Sequence, residues 1–208
     1  MTDSHLLTTD YPILPVLAER YSPRAYSEQS VAPELLQQLF TAASTATSAF
    51  NEQPWRYLVT SQQSNPEAFA KLLSCLGEFN QVWARRAPVL ALSVAKLTFS
   101  HDDNPNRYAL HDVGAATTSL AIQAAALGLQ VHQMAGFSAE KARTAFSIPT
   151  GYEPVAVFTV GYPGNVEELS EPLRIRETAP RTRKPLGEFV FDGAWPTLAT
   201  ENYNATRV

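Results

Sequence analysis

Arg20-Tyr21-Ser22-Pro23-Arg24 places two guanidinium groups and a hydroxyl within one short segment. That donor set suits an anion with polar edges, such as a phosphate. One helix downstream, Ser48-Ala49-Phe50-Asn51-Glu52-Gln53-Pro54-Trp55 offers Ser, Asn and Gln just before a Pro-Trp pair that should open a buried strand, with Trp55 itself in the core. In this order and spacing the two clusters fit a phosphorylated, aromatic cofactor. Taken singly, each also has an ordinary reading: Arg24 as a surface ion pair, and Ser48 and Asn51 as the turn that ends a helix.

The elements that must position these residues follow from periodicity. Leu35, Leu36, Leu39, Phe40 and Ala43 recur at helical spacing within 33–46, and 66–76 forms a second amphipathic helix. Short apolar strands are expected at 56–61, 88–94, 130–134 and 155–160, and a polar loop at 102–106. The longest helix covers 108–127, is rich in Ala, and ends at Gly128, a residue suited to a left-handed C-cap. Its small residues fit tight packing within the chain or a helix at the centre of a dimer interface. A further helix is expected at 139–146. From 165 onward the composition turns to Pro, Arg, Glu and Thr, with Leu186, Phe189-Val190-Phe191 and Trp195 as apolar punctuation. Such a tail is poorly stable alone and is expected to wrap another surface, that of a partner subunit. Helices alternating with short strands imply a sheet flanked by helices.

Composition narrows the function. The chain has 208 residues, 45% hydrophobic and 17% charged, with a net charge of −4, which argues against non-specific nucleic-acid binding. Cys75 stands alone, so no intrachain disulfide forms, and the four His residues do not cluster in a metal-ligand spacing. The first ten residues lack a basic segment followed by an apolar run, and no apolar stretch is long enough to span a bilayer, so a cytoplasmic protein is expected. No Gly-rich phosphate loop follows any strand, which removes Rossmann and P-loop sites.

The chain resembles the nitroreductase family of FMN-dependent NAD(P)H oxidoreductases. Arg20-x-Ser22-x-Arg24-x-Tyr26 resembles the family's opening motif, and Ser48-x-x-Asn51-x-Gln53-Pro54-Trp55 its P-S-x-x-N-x-Q-P-W element. Asp112-x-Gly114-x-Ala116 leading to Gly128, then Gly136-Phe137, Tyr152-Glu153-Pro154-Val155 through Gly161-Tyr162-Pro163, and Arg181-x-Arg183-Lys184-Pro185-Leu186 follow in the family's order.

The resemblance implies an α+β fold: a single domain over 1–208, with a central mixed, mainly antiparallel sheet, forming an intertwined homodimer in which 165–208 reaches the partner. It implies FMN at the subunit interface and NADH or NADPH as donor, with nitroaromatics, quinones or other conjugated molecules as acceptors. Arg20, Ser22, Arg181 and Arg183 would hold the phosphate, the tail pair having a solvated basic face as its plain alternative. Arg24 would lie near the flavin's pyrimidine edge. Ser48 and Asn51, with Gln53, would reach the other subunit's flavin. Asn80 would serve the pyrimidine edge or cap a loop, and Gly136 would let backbone approach the ring. Trp83 and Tyr108 would line the substrate face or belong to the core. No side chain is required as nucleophile or obligate base.

Thr47 replaces the family's Pro, and Ala135 and Trp83 stand where one branch carries Glu and Lys. The short stretch between Val94 and Tyr108 lacks a covering helical excursion, as in smaller members with open pockets. Alternatives are a specialised flavin enzyme of the same fold, such as a reductive dehalogenase or dehydrogenase, and a non-catalytic FMN-storage protein.

Overall fold

A computed structural model of the chain describes residues 5–196. Four strands, β1 (Trp55–Ser61), β2 (Val89–Lys96), β3 (Gln130–Met134) and β4 (Tyr152–Gly161), form one sheet in the order β1-β2-β4-β3. All three pairings are antiparallel, so the mixed component expected of the sheet is absent among the described residues.

The sequence of β2, Val-Leu-Ala-Leu-Ser-Val-Ala-Lys, is apolar at nearly every position because the strand is central and covered on both faces. Leu90, Leu92 and Val94 face one apolar layer, and Val89, Ala91 and Ala95 the other, as the two-residue pleat requires. Where the β2–β4 register shifts between Ser93 and Val94, the Ser93 hydroxyl donates to Ala156 O (3.1 Å) and accepts from Ala156 N (3.2 Å). The hydroxyl repairs the ladder bonds that the irregularity breaks.

Helices cover both faces. On one lie α2 (Pro33–Ser44) and α5 (Ala109–Ala126), whose Leu39, Ala43, Val113, Ala116, Leu120 and Ala124 are buried together. On the other lie α3 (Pro66–Ser74), α4 (Glu78–Ala84) and α6 (Ala139–Ala145), which contribute Phe69, Leu72, Trp83 and Ala142. Helix α5 stops as expected, with Gly128 at φ +76°. A single turn, α1 (Pro15–Glu19), precedes Arg20.

Two expectations change. Trp83 is 1% exposed, packed against His132 at 4.5 Å and Tyr26 at 6.5 Å between ring centroids, so it is a core residue and not part of a substrate face. The start of the tail does not leave its own chain. A 3-10 turn at Val166–Glu168 and a helix, α7 (Glu171–Thr178), return it to the body, with Leu169 and Leu173 buried in the core beside Trp83 and Leu76. The part of the tail from 197 onward lies outside the described residues. Among the described residues, no helix is long and apolar enough to cross a membrane.

Candidate functional site

Past α1, the chain from Arg20 to Ala25 meets Gln130 and His132 of the edge strand β3, with extended backbone at Arg20. This segment, the end of α7 and the residues that follow α7 enclose a pocket of about 250 Å³. Arg20, Ser22, Arg24, Arg181 and Arg183 all line it, joined by Arg176, with His132 and Glu177 also in its wall. The structure thus brings together five of the residues singled out in the sequence, from opposite ends of the chain.

The electrostatics are those of an anion site. The Arg20 pKa is lowered first by burial and then by the charge of Arg183, and that of Arg181 by burial and then by Arg20 and Arg183. Glu177 is the carboxylate among these cations, and burial raises its pKa. It sits 3.6 Å from Arg24 Nη1 and accepts the Arg24 backbone N–H at 3.0 and 2.9 Å. Arg24 Nε is buried without a hydrogen-bond partner among the described residues, a donor that a bound anion would satisfy.

Arg181 is also bonded within the chain. Its Nη1 donates to the carbonyls of His5 (2.6 Å) and Ala18 (2.5 Å), and its Nη2 to that of Arg20 (2.7 Å). It adds charge to the pocket, but its terminal donors already tie the tail to the segment that carries Arg20. Arg183 is exposed and, among the described residues, bonds only the neighbouring Thr182 carbonyl, at 2.7 Å.

Ser48, Asn51 and Gln53 form a second group away from this pocket. They share a tight turn in which Phe50, Asn51 and Gln53 have φ of +52°, +54° and +50°. Left-handed backbone is costly for non-glycine residues and persists where surrounding bonds impose it. Here the Ser48 hydroxyl accepts the Gln53 N–H (3.0 Å), Gln53 Nε2 donates to Asn51 Oδ1 (3.2 Å), and Asp112 Oδ2 of α5 accepts the Ala49 N–H (3.0 Å). The Glu52 side chain, 5% exposed, accepts from Ser100 N (2.8 Å), Ser100 Oγ (2.7 Å) and Lys96 Nζ (3.2 Å). The first of these bonds leads in holding its pKa down to about 2. Phe50, 83% exposed, stands out from this turn.

Asn80 and Gly136 form a third group. Gly77 N (2.9 Å) and Asn80 Nδ2 (3.2 Å) both donate to Gly136 O. A Cβ on residue 136 would fall 2.8 Å from Asn80 Nδ2, so any side chain there displaces the Asn80 amide. Tyr108, at the mouth of α5, is half exposed beneath the Arg107 guanidinium, 5.2 Å from its ring centre.

A larger surface cleft of about 590 Å³, lined by Glu28, Gln62, Arg85 and Arg86 among others, contains none of these residues. Two of its donors are already used: Gln62 Nε2 bonds the carbonyls of Arg85 and Ala87, and Arg86 pairs with Glu168. Among the described residues, no group of His, Cys, Asp and Glu is placed to hold a metal.

Sequence reasoning missed Glu177, His132 and Gln130. Glu177 had a readable signal, four residues after Leu173 on one helical face. His132 and Gln130 lie on a strand too short for its pattern to mark them.

The chain is 34% identical to a solved structure described as an oxidoreductase containing FMN, with a TM-score of 0.87, covering 94% of this chain and 99% of that one. It is 35% identical over 136 residues to an uncharacterised 15.4 kDa protein of Mycolicibacterium smegmatis, covering 65% of this chain and 90% of that protein. A Streptomyces coelicolor protein provisionally named NADH dehydrogenase/NAD(P)H nitroreductase is 27% identical over 166 residues, covering 70% of this chain and 82% of its own length. The nitroreductase family model matches residues 17–162, a span that begins just before Arg20 and runs through β4 to Tyr162, and the chain belongs to that family.

Proposed function

We propose that the chain is an FMN-dependent NAD(P)H oxidoreductase that reduces nitroaromatics, quinones or similar conjugated acceptors and works as a homodimer. The observation that carries this reading is the arginine pocket. Its cations outnumber its carboxylate, and Arg24 Nε is buried without a partner among the described residues. A phosphate fits that donor set better than water does, because charge-assisted bonds to guanidinium groups are strong where solvent is partly excluded.

FMN, when bound, supplies hydride chemistry, accepting from NAD(P)H and delivering to the acceptor in a separate turn at the same site. The residues of this chain bind and orient. Arg20, Ser22 and Arg183 would hold the phosphate, while Arg181 fixes Arg20 by its carbonyl. Arg24, which lines the same pocket, would join them at the phosphate instead of the pyrimidine edge that the resemblance implied. Asn80 and Gly136 offer a polar side chain and a stretch of bare backbone on which a flat ring can rest. Tyr108 would give the acceptor an aromatic surface.

No residue of the Ser48–Gln53 turn lines the arginine pocket, which supports its serving the flavin of a partner subunit. Leu110, Gly114 and Thr118 leave one stripe of α5 exposed, and Leu186, Phe189, Val190 and Trp195 of the tail are 49–80% exposed in a single subunit. A partner that covers both would remove that apolar surface from water. The lone thiol, Cys75, buried and unpaired, supports a reducing compartment such as the cytoplasm.

The test is the visible spectrum of the purified protein, followed anaerobically on addition of NADH and then NADPH. Bleaching of a flavin band supports the reading and identifies the donor. A flavin band that survives both donors favours FMN storage. A colourless protein that takes up no added FMN overturns the assignment.

A further inference from the structure

The arginine-bearing segment is held by side chains more than by a regular element. Between Tyr21 and Ala25 its backbone groups bond to residues distant in sequence. Gln130 Oε1, from the buried end of β3, accepts the Tyr21 N–H at 3.1 Å. His132 Nδ1, two residues along the same strand, meets the Pro23 carbonyl at 2.9 Å. A carbonyl only accepts, so the imidazole carries its proton on Nδ1. Burial lowers the His132 pKa to about 4, which keeps the ring neutral at physiological pH. Glu177 accepts the Arg24 N–H with both carboxylate oxygens.

A carboxylate among arginines has two opposed effects on a bound phosphate. Its charge repels the anion. Its hydrogen bonds fix the backbone from which Arg24 and Ser22 project. The side chain of Glu177 is 2% exposed, and a carboxylate enclosed to that extent is costly unless its bonds are needed.

We propose that Glu177 is a positioning residue of the anion pocket: with His132 and Gln130 it locks the 21–25 backbone so that Ser22 and Arg24 are pre-organised for a phosphate monoester. The three side chains come from β3 and α7, so β3, at the edge of the sheet, and the returning tail together form the mould for a loop that has no helix or strand of its own. Pre-organisation of this kind raises affinity by removing the ordering cost of the loop at the moment of binding. The inference rests on the phosphate reading above.

The test compares FMN with riboflavin, which lacks the phosphate, by quenching of flavin fluorescence in the full-length protein, beginning with the wild type. Wild type is expected to prefer FMN; equal affinity for the two, or none for either, removes the phosphate reading and this inference with it. In Glu177→Gln, FMN affinity is expected to fall about tenfold or more while riboflavin affinity holds within about twofold. Glu177→Asp should recover part of the loss. Charge counting alone predicts the reverse, tighter FMN binding once the repulsion is gone. Unchanged or tighter FMN binding overturns the proposal, as does a parallel loss of riboflavin, which marks a purely structural role. Should Glu177→Gln not fold, His132→Leu removes the donor to Pro23 at similar volume. The same phosphate-selective loss is expected there, and its absence overturns the proposal equally.

Discussion

Asp112 Oδ2 accepts the backbone N–H of Ala49 at 3.0 Å, so the first turn of α5 holds the entry of the strained turn that carries Ser48, Asn51 and Gln53. Asp112 is 3% exposed on a helix whose other buried residues are small or apolar, and its other oxygen meets His111 Nδ1 at 3.0 Å. Asp112→Ala leaves the Ala49 donor unpaired and should destabilise the fold by about 1–3 kcal/mol. Asp112→Asn keeps a carbonyl oxygen and should lose less. Thermal melts of both variants, beside flavin affinity, check the order; equal stability for all three proteins would free the turn from α5.

Gly136 and Asn80 should behave as a coupled pair. In Gly136→Ala, the new Cβ meets Asn80 Nδ2 at 2.8 Å and pushes the amide off the Gly136 carbonyl. The expected cost is about 1 kcal/mol, with weaker flavin binding. In an Asn80→Ala background the same substitution should be nearly neutral, because its obstacle is gone. A double-mutant cycle read by urea denaturation gives the coupling energy directly. Additive effects would separate the two residues.

Stability should fall as pH falls, in two windows. The His132 pKa lies below its ordinary 6.5, at about 4, because burial disfavours the imidazolium. The unfolded chain therefore takes up the proton first, and stability present above pH 6.5 is lost progressively down to about 4. Glu52 has its pKa lowered from 4.5 to about 2 by the bonds from Ser100 and then Lys96, so its contribution, complete above pH 4.5, disappears as pH falls through 2. Glu177, with a raised pKa, works in the opposite sense, its penalty growing as pH rises through that value. Urea denaturation from pH 7 to 2 should show His132→Gln flattening the upper window and Glu52→Gln the lower one. A slope unchanged by either variant would contradict these assignments.

Arg181 and Arg183 should separate by assay. Arg181→Ala removes bonds to the carbonyls of His5, Ala18 and Arg20 and should cost about 2 kcal/mol of stability while loosening flavin. Arg183→Ala touches an exposed side chain and should leave stability within about 0.5 kcal/mol. Its effect on FMN affinity should be largest at low ionic strength, where screening is weakest. Melting temperatures and a salt series on both variants test the distinction.

What was legible in the sequence follows from packing. The run 88–94 announced itself because β2 is buried on both faces, and the Ala-rich 108–127 because α5 lies between the sheet and α2. The helix α4 escaped because Gly-Glu-Phe-Asn-Gln-Val-Trp-Ala buries Trp83 and Ala84 while leaving Phe79 and Val82 exposed, so no clean stripe results. The helix α7 escaped because Leu173 and Glu177 are its buried residues, one of them charged. Arg20, Ser22 and Arg24 were readable by type and spacing, whereas the residues that hold their backbone come from β3 and α7, contacts that only the tertiary fold creates.

The sign of one substitution tests the dimer. In the single subunit a Cβ on Gly114 meets nothing within 4 Å, so on intrachain grounds Gly114→Ala should stabilise α5 by about 1 kcal/mol. A partner helix lying on the stripe of Leu110, Gly114 and Thr118 reverses that sign, since glycine then serves close approach and any side chain opens the interface. Gly114→Leu should therefore yield a monomer by sedimentation and release flavin, if Ser48 and Asn51 serve the partner's site. A Gly114→Leu protein that stays dimeric and gains thermal stability would move the interface off α5, and with it the role given to the Ser48–Gln53 turn.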